Sequence, residues 1–167
     1  MILVYSKRIR SQRFFFQLNP PYIALIELSS LTEADLVGEL LEVSGFGTTD
    51  DNRGPSSRQL YYTSLTVISK QDCLTAWQTE ILPSTSFCAE DKTSTDPAIK
   101  SATCAGDSGG PYTYTFPNGT KVQVGLVSYG SNPCTALPKG ITLISLFLDW
   151  IAQIQAANPI SIIPILN

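Results

Sequence analysis

The chain has 167 residues, 43% of them apolar and 15% charged, which suits one globular domain with a sizeable core and argues against disorder. Eleven Lys and Arg against fourteen Asp and Glu leave a net charge of −3, so neither a nucleic-acid footprint nor a polybasic membrane surface is expected. No run approaches the roughly 18 apolar residues of a membrane span, and the lack of histidine and of Cys-x-x-Cys spacing argues against a zinc site. No metal and no cofactor are expected.

Eleven glycines, eleven prolines and alternating apolar stretches predict many short strands joined by turns. Met1–Tyr5 is too short for the apolar region of a signal peptide, and basic residues follow it rather than precede it. Residues 1–18 set Lys7, Arg8, Arg10 and Arg13 against Phe14, Phe15 and Phe16, a half-buried strand pattern. Pro20-Pro21 interrupts the chain, and Tyr22 to Leu28 reads as a strand. Residues 29–40 are polar and acidic and read as a linker, followed by a strand over Leu41–Gly47 and a turn-rich loop over 48–58. Leu60–Ile68 is rich in β-formers and predicts a further strand.

Ser69 followed three residues later by Asp72 has the pattern of a helix N-terminus, and a short helix through Trp77 follows from it. Four cysteines, Cys73, Cys88, Cys104 and Cys134, fit either a disulfide-bearing secreted protein or buried free thiols. Asn118-Gly119 predicts the tip of a hairpin between Tyr112–Thr115 and Val122–Val127, and Asn118-Gly119-Thr120 is also a glycosylation sequon. From Ser145 the pattern turns helical, with Phe147, Trp150, Ile151 and Ile154 on one apolar stripe. Residues 158–167 form an apolar tail interrupted by proline.

The chemistry gathers in Cys104-Ala105-Gly106-Asp107-Ser108-Gly109-Gly110-Pro111. Glycines on both sides of an Asp-Ser pair allow a tight loop whose amide N–H groups converge on one point. Two such amides beside a serine hydroxyl can stabilise an oxyanion in acyl transfer. This octapeptide resembles the nucleophile loop of the chymotrypsin-like (trypsin, S1) serine proteases. Further resemblances keep the family's order: Ile23-Ala24-Leu25, Val43-Ser44-Gly45-Phe46-Gly47, Val127-Ser128-Tyr129-Gly130, Pro138-Lys139-Gly140-Ile141 and Asp149-Trp150-Ile151. They cover roughly residues 19–155, and Ser-Gly-Phe-Gly followed by Leu-Thr-Val-Ile-Ser is similar to arthropod chymotrypsin-like enzymes.

The resemblance implies an all-β fold with a chymotrypsin-like β-barrel. Residues 1–40 would be a remnant of the first barrel and the interdomain linker, 41–157 the complete second barrel with a terminal helix that only packs, and 158–167 a tail. It implies disulfides Cys73–Cys88 and Cys104–Cys134. It makes Ser108 the nucleophile and the amides of Gly106 and Ser108 the oxyanion hole. Asp107 would pair with an α-amino group freed by activation cleavage. With no such N-terminus in the sequence, Asp107 is expected to lack its partner and the loop to be zymogen-like. By the same resemblance Ala102 would lie at the base of the specificity pocket, Gly130 and Gly140 along its walls, and Ser128 and Tyr129 against the substrate backbone. That pocket would take large apolar or aromatic side chains, with Lys139 an insertion able to narrow or recharge it.

Two parts of the triad are missing. The sequence contains no histidine, and Tyr22 stands at the position of the triad aspartate. A serine hydroxyl is a poor nucleophile without a base, so the chain as written is expected to be inactive or nearly so. Two readings follow: a serine endopeptidase whose sequence here is incomplete, or a non-catalytic homologue that binds or regulates. Both imply an extracellular monomer with protein or peptide ligands and protease inhibitors as partners.

Overall fold

The computed structural model describes residues 25–49, 54–96 and 98–158. Tyr22, Ile23, Phe14–Phe16, the strand expected before residue 19 and the tail beyond 158 lie outside the described residues.

Strands β2 (Leu40–Gly45), β3 (Tyr61–Ile68), β4 (Ser86–Glu90), β5 (Pro111–Thr115), β6 (Lys121–Tyr129) and β7 (Lys139–Leu143) close into an antiparallel barrel. The order is β5-β2-β3-β4-β7, and β6 joins both ends by pairing with β5 and β7. Two register shifts, at Tyr112/Thr113 and at Val127/Tyr129, bend the ladders where the sheet must curve to close. The expected all-β barrel with a C-terminal helix is what forms.

Strands and core follow from alternation. In β2, Leu41 and Val43 are buried while Leu40 and Glu42 are not, so the inward face is the apolar one. These two side chains meet Leu65, Val67, Phe87, Tyr112, Val124 and Ile141 in one cluster, the barrel interior. Gly125 belongs to this packing, because a Cβ there would collide with the Ile141 side chain. A second, smaller cluster of Ile68, Cys73, Leu82 and Cys88 lies under helix α2 (Lys70–Trp77). That helix begins as expected, with the Ser69 hydroxyl accepting from the Asp72 amide at 3.1 Å.

Three features depart from the sequence reading. The polar stretch 29–40 holds a helical turn, α1 (Glu33–Leu36), closed by a capping box in which Thr32 and Asp35 each bond the other's backbone amide. Strand β1 is only Glu27–Leu28, and it pairs in parallel with the start of β6, along the edge that β7 leaves open. The described part of the expected first-barrel strand thus adds to the second barrel. Finally, helix α3 (Leu148–Ala157), which follows a 3₁₀ turn over Ile144–Phe147, buries no side chain among the described residues. Trp150 is 59% exposed and Ile154 47%, while Phe147 and Ile151 are half-buried, so the packing expected of the apolar stripe is only partial.

Candidate functional site

The octapeptide lies between β4 and β5 as a loop fastened on three sides. The Gly109 amide donates to the Val127 carbonyl at 2.8 Å, and the Val127 amide returns a bond to Gly110 at 2.9 Å. The Ala105 carbonyl accepts from Thr48 at 2.8 Å, tying the loop to the segment after β2. Cys104 is bridged to Cys134, and Cys73 to Cys88, so both expected disulfides are present. Cys73 leads α2 onto Cys88 in β4, while Cys134 anchors the loop to the segment between β6 and β7.

Glycine is needed here for stated reasons. Gly106 has φ +98° and Gly109 φ +81°, both in the left-handed region where a side chain is strained. At Gly106 a Cβ would also stand 3.1 Å from the Gly47 backbone. The amides of Asp107, Gly109 and Gly110 each donate to a carbonyl. Among the described residues, those of Gly106 and Ser108 donate to none. Ser108 itself is exposed. The loop therefore presents an open hydroxyl next to two unspent N–H donors.

The expectation of a partnerless Asp107 is overturned. One carboxylate oxygen accepts from the Gly47 amide at 2.7 Å, and the other from the Cys104 amide at 2.9 Å. Two backbone donors thus satisfy the carboxylate and tie the loop to Gly47. Gly45 and Gly47 form the seat, since a Cβ on either would run into the Asp107 carboxylate. Sequence reasoning saw Ser44-Gly45-Phe46-Gly47 as a strand and missed this role. No local pattern could have found it, since the seat joins residues sixty positions apart.

Beside Asp107 opens a cleft of about 600 Å³, walled by Val43–Gly45, Tyr61–Thr63, Ser101–Cys104 and Cys134. Ala102, the expected base of the specificity pocket, lines it, whereas Ser108 and Gly130 do not.

The specificity residues are brought together only in part. Ala102 and Lys139 line one small cavity of about 20 Å³. Gly140 is covered: the Tyr129 ring lies where its Cβ would be. Tyr129 is held there edge-on to Trp77, ring centres 5.5 Å apart, and by its hydroxyl at 3.2 Å from Ser86 Oγ. The side chain of Lys139 lies along Gly130, so a Cβ on Gly130 would sit 2.7 Å from the Lys139 Nζ. These two side chains thus cover the expected glycine walls, while Ala102 also borders the cleft of about 600 Å³. Ser128 is exposed at the β6 bulge. Asn118 is exposed at the β5–β6 hairpin tip, where its side-chain oxygen accepts from the Thr120 amide at 3.0 Å and Gly119 takes φ +85°.

Among the described residues no cluster of acidic, cysteine or histidine side chains could hold a metal ion, and no helix is long and apolar enough to cross a membrane.

The fold and loop agree with sequence relationships. The family described as Trypsin matches residues 16–151. Human (Homo sapiens) kallikrein-5 is 36% identical over 118 residues, 70% of this chain and 36% of that protein. Granzyme B of Rattus norvegicus is 35% identical over 116 residues, covering 70% and 42%. Chymotrypsin of Phaedon cochleariae is 31% identical over 131 residues, covering 77% and 42%. The chain thus spans less than half the length of these relatives. With the closed barrel, the fastened Gly-Asp-Ser-Gly-Gly loop and this matched span, the chain belongs to the trypsin family of chymotrypsin-like serine proteases.

Proposed function

We propose that the chain acts in serine-type endopeptidase chemistry, with Ser108 as nucleophile. The observation that supports this most is the pair of unspent amides, Gly106 and Ser108, beside an exposed hydroxyl on a loop pinned by Asp107. In this reading Ser108 Oγ attacks the scissile carbonyl carbon and its proton passes to a general base supplied from outside these 167 residues. The carbonyl oxygen takes the negative charge and lies against the two N–H groups, which need not reorganise because the loop already holds them. A substrate backbone would run beside Ser128–Gly130. We further propose that residues 1–40 and 41–157 form one peptidase-type unit, extracellular and monomeric, with peptides and protease inhibitors as partners and Asn118 as a glycan acceptor.

The composition favours a second reading. Without histidine the chain has no ordinary base for Ser108. In serine proteases the oxyanion hole and binding alone retain only ~10³–10⁴-fold acceleration over water. Taken alone, the 167-residue chain then works as a peptide-binding homologue.

A fluorophosphonate probe separates the two. Stoichiometric labelling that Ser108→Ala abolishes supports the nucleophile. No labelling, together with retained binding of peptides, supports the non-catalytic homologue. Neither labelling nor peptide binding sinks both.

A further inference from the structure

We propose that the apolar flank of α3 made by Leu146, Trp150 and Ile154 is a docking surface for the chain's own tail, and that residues 159–167 fold back along the helix to cover it. Neither Ser108 nor the peptide site takes part. The tail also lies beyond the span that matches the family, which closes at residue 151.

The helix carries more apolar surface than the barrel uses. Phe147 and Ile151 are half-buried and mark the side turned inward. Trp150 and Ile154 stand one turn apart on the adjoining flank, with Leu146 a further turn back. All three stay largely open, Leu146 at 56%, Trp150 at 59% and Ile154 at 47%. Asn158 closes the helix on this flank's last residue: its amide and its side-chain Nδ2 both donate to the Ile154 carbonyl, at 3.1 and 2.9 Å. The tail therefore sets out one residue past a cap fastened to Ile154.

Composition and length both fit the tail to that surface. Residues 159–167 hold the large aliphatic side chains Ile160, Ile162, Ile163, Ile165 and Leu166, and no charged residue occurs from Trp150 to Asn167. Laying them on Leu146, Trp150 and Ile154 takes apolar area on both sides out of water. Pro159 lacks the amide that a further helical turn needs, which ends α3 at Asn158 rather than letting it run on. An extended chain advances about 3.3 Å per residue and a helix rises only about 1.5 Å. The tail is therefore long enough to return past Ile154 and Trp150 to Leu146.

The size and charge of the face select this occupant. Three part-exposed side chains fall far short of the roughly 800 Å² that each partner gives to a stable dimer. A tethered segment needs less surface, because its short linker holds it at an effective concentration of about millimolar. Neither α3 nor the tail contains Lys or Arg, so nothing there grips the headgroups of an anionic membrane.

Trp150 reports on its own cover. A Trp77→Phe background leaves it the sole tryptophan, and in the full chain it should emit at short wavelength and resist acrylamide quenching. Removing residues 159–167 should shift that emission to the red and raise the quenching. Ile162→Asp combined with Ile163→Asp should do the same, and decides the matter if the shortened chain does not fold. Ile162→Leu combined with Ile163→Leu, which keeps the tail apolar, should leave both readings where the unaltered chain has them. Emission and quenching that neither the removal nor the aspartates alter overturn the proposal. So does quenching of the full chain that rises on dilution, which gives the face to a second copy. A blue shift of the full chain on adding phosphatidylcholine vesicles gives it to a lipid surface and overturns the proposal too.

Discussion

Asp107 shows how a single side chain holds a loop in shape. Its two oxygens each take one backbone amide, at Gly47 and at Cys104, from segments about sixty and three residues away. Asp107→Asn turns an acceptor into an NH₂ group facing an N–H donor. We expect a loss of about 1–3 kcal/mol, read by urea unfolding, together with loss of fluorophosphonate labelling at Ser108. Gly106→Ala tests the neighbouring constraint, since φ +98° and the 3.1 Å approach to Gly47 both oppose a methyl group. That variant should fold less stably and label more slowly than Gly109→Ala, where φ is +81° but the space is open. Asp91 supplies a pH dependence. Hydrogen bonds from the Thr93 side chain first, then from the Ser101 and Thr93 backbones, hold its carboxyl below the ordinary value of 3.8. A folded-state value below the unfolded one stabilises the fold above the unfolded value, and that contribution is lost as pH falls through the folded value. Unfolding followed from pH 5 down to pH 2 should therefore show an acid-side decline that is shallower in Thr93→Val.

At the scale of elements, the two disulfides divide the work. Cys73–Cys88 closes a separation of 15 residues and clamps α2 to β4 over the smaller cluster. Cys104–Cys134 closes 30 residues and ties the Ser108 loop to the segment leading into β7. By the loop-entropy relation these are worth about 3 and about 3.6 kcal/mol. Replacing Cys73 and Cys88 by serine should lower stability by roughly 3 kcal/mol in urea unfolding and leave labelling of Ser108 in place. Replacing Cys104 and Cys134 should lower stability at least as much and impair labelling too. The difference in labelling, rather than the stability loss, tells the two bridges apart.

The molecule as a whole is held by closure. Each of the six barrel strands has two neighbours within the barrel, β6 pairing with β1 besides, and the interior is a single cluster from β2 through β7. Phe87 is 1% exposed in β4, and one of its ring carbons lies 3.4 Å from where a Gly125 Cβ would be, across the barrel in β6. Phe87→Ala is expected to cost about 3–5 kcal/mol, a large part of the roughly 5–15 kcal/mol that holds a domain of this size together. A drop in thermal midpoint smaller than that of an exposed-site control such as Ile81→Ala would show that the core is not this cluster.

Much of this was legible in the chain itself. Alternation at Leu41 and Val43, the Ser69–Asp72 cap, the Asn118-Gly119 turn and the glycines around Ser108 act within a few residues, and local sterics decide them. So does the capping box at Thr32 and Asp35, which could have been read and was not. Other features depend on which strands become neighbours. The seat that Gly45 and Gly47 make for Asp107 joins residues sixty positions apart, and no local pattern states that a carboxylate will find backbone donors there. Likewise β1 joins β6, the Tyr129 ring covers Gly140, and Lys139 comes to lie along Gly130, because closing the barrel sets β6 against β7. The sequence by itself determined the family, the strand-rich class and the glycine-flanked loop around Ser108, through short-range geometry written in glycine, serine and cysteine. Only the tertiary structure decided what supports that loop and that the Lys139 side chain lies along Gly130, since both arise from close approach between segments distant in the chain.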